Sequence, residues 1–329
     1  MYKTQALHRP RTITQSRLLK LCLLLFLALI LLFPSLAFAG AKNGLLLWWD
    51  TILPTLLPFM IISSLIIRLR ITHALSYLFY PIFKHILPIS REGCYPVFIG
   101  FLAGFPVGAK TTADLTLQSS LSHKEAQLLC SISNNASPMF VLGYIAASKL
   151  SSPELGIWIL LILYLSSYSG ALVWYFIYCK IHRFHASSLY EEERVGVTKA
   201  PHFQFSMLDD SIVSSFEVVT KVGGYLILFS VLASFISSLP LTDSSLSACL
   251  TGILEVTTGI QNISMLDLSL DIKIVLITTI TAFGGFSSFA QTKSVISETL
   301  LSSSTYLLTK VISAVFAFIY SLLYVLVLL

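Results

Sequence analysis

The sequence predicts an all-α polytopic membrane protein, an inverted-topology repeat with two re-entrant hairpins and two broken transmembrane helices. Three observations predict it. Of 329 residues, 55% are hydrophobic and only 11% charged, with a mean hydropathy of +0.82, which is more apolar surface than a soluble fold buries. A pattern of apolar span, short apolar segment ending in Gly and polar residues, and span interrupted by small polar residues occurs twice. Finally, 18 of the 21 basic residues fall on one side of the topology this pattern gives, as cytoplasmic loops retain Lys and Arg.

Taken in order, basic residues Lys3, Arg9, Arg11, Arg17 and Lys20 precede the apolar run 21 to 39. Its ending, Ala37-Phe38-Ala39, has the form of a signal-peptidase site. Its length of about 20 residues favours an uncleaved first helix. Further spans are expected at 45 to 69, 125 to 148, 155 to 179, 220 to 239, 272 to 290 and 306 to 329. The pieces 94 to 109 and 246 to 259 are too short to cross comfortably and read as re-entrant. Stretch 72 to 89, with Tyr77, Phe79, Tyr80 and Phe83 beside Lys84 and His85, suits a helix at the interface. The polar stretch 182 to 206, with Glu191-Glu192-Glu193, reads as a solvated linker. The expected organisation is an N-terminal basic segment and first helix over 1–43, a first repeat over 44–181, a cytoplasmic linker over 182–206 and a second, inverted repeat over 207–329. With the N-terminus cytoplasmic the C-terminus is external, and only Lys42, Lys149 and Lys273 lie outside; Lys310 counts among the cytoplasmic 18. The echoes Trp49-Asp50-Thr51-Ile52 with Asp209-Asp210-Ser211-Ile212, and Gly100-Phe101-Leu102 with Gly252-Ile253-Leu254, fit a duplication.

A break at membrane depth is tolerated where the freed backbone faces protein or a water-filled cavity, so paired breaks point to a central substrate site. In Gly104-Phe105-Pro106-Val107-Gly108-Ala109-Lys110-Thr111-Thr112, glycines allow close backbone approach and Lys110 can offset an anion. The GxxxxGK[ST] spacing of a phosphate loop is absent, because Ala109 separates Gly108 from Lys110. The alternative is close packing through small residues. In Asn134-Asn135-Ala136-Ser137-Pro138, Asn and Ser suit N-caps and Pro a first helical turn. A helix N-terminus there attracts carboxylate or phosphate; the alternative is a kink whose amides bond a neighbouring helix. Glu255, beside Thr258 in an apolar segment, is a candidate for coupling to a proton or sodium ion, or else half of a salt bridge with Lys110 or Lys221. Gly284, Gly285, Ser287 and Ser288 form the second break. Asp50 and Asp210 read as helix caps. The five cysteines are scattered and read as packing residues. No metal site, cofactor or nucleic-acid partner is expected, and without a nucleophile elbow or HExxH no enzyme.

The stretch from Tyr95-Pro96 through Gly104-Phe105-Pro106-Val107-Gly108-Ala109-Lys110 to Ser133-Asn134-Asn135-Ala136-Ser137-Pro138, with Glu255, Thr258, Gly259, Gly284, Gly285 and Ser287, resembles the YlbJ family of sporulation integral membrane proteins. The similarity runs from about residue 40 onward. It implies a nucleoside-recognition Gate domain, shared in outline with concentrative nucleoside transporters and the membrane part of ferrous iron transporter B. It further implies transport in a bacterial cell membrane, with a forespore membrane left open, and dipicolinate as leading cargo. The sequence-based expectation is therefore a transporter of a small organic anion in the lipid bilayer, with homo-oligomerisation left open. A nucleoside-like solute or a non-transporting scaffold for spore assembly are the competing readings.

Overall fold

The computed structural model describes residues 13–83, 89–182, 203–239 and 244–328. Among these every regular element is helical, and five helical stretches are long and apolar enough to cross a bilayer: Pro34–Arg68, Leu155–Ile177, Phe205–Ser237, Leu270–Val295 and Ser303–Val327. Large apolar side chains stay exposed along them, including Leu161, Leu323 and Leu326. Such faces suit lipid.

The apolar run 21 to 39 is divided rather than continuous. Helix α1 (Ile13–Leu32) ends at Phe33, and α2 (Pro34–Leu47) begins with proline in its first turn. Pro34 lacks the N–H that would continue α1, and its fixed φ suits a helix start. A wide-turned segment, Trp48–Ile52, then joins α2 to α3 (Leu53–Arg68), making one rod of 35 residues. Asp50 lies inside this rod and caps nothing. After α4 (Thr72–Phe83) comes a helical pair, α5 (Cys94–Ala103) and α6 (Val107–Leu117), turned at Gly104-Phe105-Pro106 with a cis Phe105–Pro106 bond. Next, α7 (His123–Ile132) breaks at residues 133–137 before a helix whose wide-wound part is Phe140–Lys149. Helix α8 (Leu155–His182) closes the first half.

The second half repeats that order. It has a long rod, α9 (Phe205–Ser237), and a helical pair, α10 (Ser244–Leu254) and α11 (Val256–Met265). A helix broken at Gly284 follows, α12 (Leu270–Phe283) and α13 (Gly285–Val295), and then a closing helix, α14 (Ser303–Leu328). Helix α9 starts well before the expected residue 220, so Asp210 falls inside it and meets Arg68 of α3 at 3.4 Å instead of capping. The linker lies mostly outside the described residues, as do Lys84 and His85.

Glycines set how closely these elements approach. Gly40 and Gly44 of α2 lie on α9, where a methyl group at Gly40 would stand 2.8 Å from the Val231 Cα and one at Gly44 2.9 Å from the Ile227 Cα. This is small-residue packing of the kind that joins helices in membranes. Gly100 and Gly108 flank the first turn and both face the Ser133 carbonyl, 2.0 Å from where each Cβ would be. Across the second pair, a Cβ on Gly259 would stand 2.1 Å from the Gly252 Cα. Gly100 thus packs its pair onto the first broken helix, whereas Gly252 packs within its own pair and against the Ile280 side chain.

Candidate functional site

The two turns and the two breaks meet around a cavity of ≈ 340 Å³. That is at the low end of small-molecule sites, roughly 300–1,000 Å³. Phe105 comes from the first turn, Ser137 from the first break, Glu255 and Thr257 from the second turn, and Gly284, Ser287 and Ser288 from the second break. The rod α2–α3 adds Thr51 and Thr55, and the wide-wound helix adds Phe140, Gly143 and Tyr144. Four helices therefore begin at the cavity, one after each turn and each break. Their first-turn N–H groups are partial positive charges.

These starts are not satisfied alike, and that of α6, after Pro106, has no side-chain cap. Ser137 Oγ accepts from the Phe140 N–H at 3.3 Å. Glu255 is buried and caps α11: its carboxylate accepts from the Thr257 N–H at 3.1 Å, the Thr258 N–H at 2.7 Å and the Thr258 hydroxyl at 2.7 Å. At α13 the chain turns through Gly284 (φ +83°) and Gly285 (φ +78°), and no side chain caps the helix. Both values lie in the left-handed region that glycine enters without penalty. The first turn of α13 thus presents Ser287 and Ser288 to the cavity, with Gln291 donating to Ser287 Oγ at 3.2 Å.

Of the residues singled out in the sequence, Ser137, Glu255, Gly284, Ser287 and Ser288 line the cavity. The others are placed differently. Gly104, Pro106, Gly108 and Pro138 shape the first turn and first break without lining it, Gly285 does the same at the second break, and Thr258 holds the Glu255 carboxylate. Lys110 pairs with Asp114 one turn along α6, and the Thr111 hydroxyl lies 3.2 Å from the Ser63 hydroxyl on α3. Neither Lys110 nor Lys221 reaches Glu255; Lys221 pairs with Glu217 at 2.6 Å.

Asn134 and Asn135 turn away from the cavity into a buried network. Asn134 donates to the Thr292 hydroxyl of α13 and the Tyr306 hydroxyl of α14, each at 2.8 Å. Asn135 donates to the Ile132 carbonyl at 2.6 Å and accepts from Lys310 Nζ at 2.9 Å. The first break is thereby tied to the second half. Lys310, expected among the cytoplasmic cations, is 2% exposed. A lysine close to the start of an apolar span has the same sequence signature whether it flanks the membrane or is buried in the protein.

Replacing Asn134 by leucine removes its bonds to the Thr292 and Tyr306 hydroxyls; Thr292 keeps its bond to the Ser288 carbonyl at 2.8 Å, and a Tyr306 hydroxyl left unpaired costs about 1–3 kcal/mol. The melting temperature of purified Asn134→Leu protein should fall along with any activity. Normal stability with lost activity would instead give Asn134 a direct ligand role.

The chain is similar to the sporulation integral membrane protein YlbJ of Bacillus subtilis (strain 168), with 29% identity over 326 aligned residues covering 88% of this chain and 78% of that protein. The similarity supports assignment to the YlbJ family. With its apolar helices, this similarity marks the chain as an integral membrane protein, all-helical among its described residues. No family model matches it and no solved structure does.

Proposed function

We propose that the chain is a secondary transporter whose two helical pairs are re-entrant hairpins and whose halves, 44–181 and 207–329, are inverted Gate-like repeats joined by a cytoplasmic linker. The observation that carries the reading is the cavity at the junction of two turns and two helix breaks. Discontinuous helices that start at a central site are how transporter folds present polar backbone to a solute within the bilayer. The cargo is a small organic anion, dipicolinate first, in keeping with the sporulation-associated relative. The uncapped start of α13, with Ser287 and Ser288, is the best-placed receptor for a carboxylate.

A second reading, a neutral nucleoside-like solute, is favoured by one observation. Among residues lining the cavity the sole charged group is Glu255, and the remainder are aliphatic side chains, glycines, hydroxyls, Gln291 and the rings of Phe105, Phe140 and Tyr144. Uptake of labelled dipicolinate and of a nucleoside panel into proteoliposomes separates the two. Uptake of neither would give the ground to a membrane scaffold.

Glu255 is the proposed coupling group for a proton or sodium ion. Glu255→Gln keeps the shape and one cap acceptor while removing the titratable charge. Gradient-driven accumulation should then fall to the level of passive equilibration, with equilibrium exchange of labelled solute retained in the same vesicles. Unchanged accumulation under an imposed pH or sodium gradient would leave Glu255 as a helix cap alone.

A further inference from the structure

Lys310 is a buried lysine that no carboxylate pairs among the described residues. Its Nζ donates to Asn135 Oδ1 at 2.9 Å and lies 5.3 Å from the Phe105 ring centroid and 5.7 Å from that of Tyr306. Among the described residues the ion pairs of the chain are Arg68–Asp210, His73–Glu92, Lys110–Asp114 and Lys221–Glu217, and Lys310 has no part in them. An ammonium has three N–H donors. One neutral acceptor and two ring faces leave its charge unmatched, an expensive arrangement inside a membrane protein and one that marks functional groups.

Phe105 connects this cation to the cavity. Phe105 lines the cavity while Lys310 does not, so this side chain, at the turn between α5 and α6, stands between the two as a partition. The partition closes against the other half, since a Cβ on Gly284 would lie 3.0 Å from Phe105 Cζ.

We propose that Lys310 is the cationic contact for a carboxylate of the transported solute, reached when Phe105 turns aside. The inference rests on the cavity being a solute site and deepens that reading by supplying the positive charge its lining lacks. A small carboxylate would exchange water for the ammonium, giving a charge-assisted bond where Asn135 already orients the donor.

The test is binding of pyridine-2,6-dicarboxylate and of its neutral analogue pyridine-2,6-dicarboxamide to the purified full chain in detergent. Lys310→Met should weaken dicarboxylate binding on the order of 100-fold, as when one member of a buried charge pair is lost, and leave dicarboxamide binding within a fewfold. Lys310→Arg should retain the preference for the dicarboxylate. Should the Met variant fail to accumulate, Lys310→Gln, whose amide can still donate to Asn135, is read in the same way. Wild-type affinity for the dicarboxylate in a folded neutral variant overturns the inference. So does a wild-type protein that binds the dicarboxamide but not the dicarboxylate, which leaves the cavity reading standing. Binding of neither by the wild type overturns the inference together with the organic-anion reading of the cavity.

Discussion

Gly108→Val should eliminate folded protein from the membrane. A Cβ there would sit 2.0 Å from the Ser133 carbonyl oxygen and 2.6 Å from its carbon, both backbone atoms. Neither can rotate away, so the α5–α6 pair must lift off the broken helix that it packs against. Overpacking at backbone costs about 3 kcal/mol or more, a large share of the stability of any domain. Gly224 is the control, because a Cβ there meets nothing within 4 Å. Gly224→Ala lies inside α9 and should hold or raise stability by roughly 0.5–1 kcal/mol, the usual helix preference for alanine. Membrane abundance and detergent melting temperature of the two variants check the pair of expectations. Normal abundance of Gly108→Val would mean that the turn does not rest on Ser133.

Gly143→Trp should have the opposite profile, folding normally while abolishing uptake. Gly143 lines the cavity and a Cβ at this position meets no heavy atom within 4 Å. An indole there has open space to occupy, and that space is the proposed solute site. Uptake should fall by about 100-fold or more, as expected when a side chain occupies the volume a ligand needs, with melting temperature near wild type. Retained uptake by a stable Gly143→Trp protein would move the solute path elsewhere.

Much of this architecture was readable because glycine, proline and small polar residues interrupt apolar runs at three of the four places where the helices stop. Gly104-Phe105-Pro106, residues 133–137 and Gly284 mark the first turn and the two breaks in sequence and structure alike, whereas Glu255, at the second turn, reads in the sequence as a coupling or ion-pair candidate and not as the helix cap it forms. Which way the polar groups of a break face was not readable. Asn134 and Asn135 have the composition of a ligand site yet bond Thr292, Tyr306 and Lys310, partners more than 150 residues away. Periodicity carries no information on contacts of that kind. The neighbours of Lys110 in sequence point to an anion site, whereas helical spacing brings it to Asp114. The division at Phe33 and Pro34 could have been read, since proline favours the first turn of a new helix.

The central claim is that the cavity is the path of a solute that opens to each side of the membrane in turn. Ser288, at the uncapped start of α13 and lining the cavity, is the position to probe. With Ser288→Cys in a background whose native cysteines are replaced by serine, a membrane-impermeant thiol reagent is applied to right-side-out and to inverted vesicles. Labelling from both sides, slowed by dipicolinate, is the predicted result. Labelling from one side alone, unaffected by either dipicolinate or nucleosides, would contradict the account.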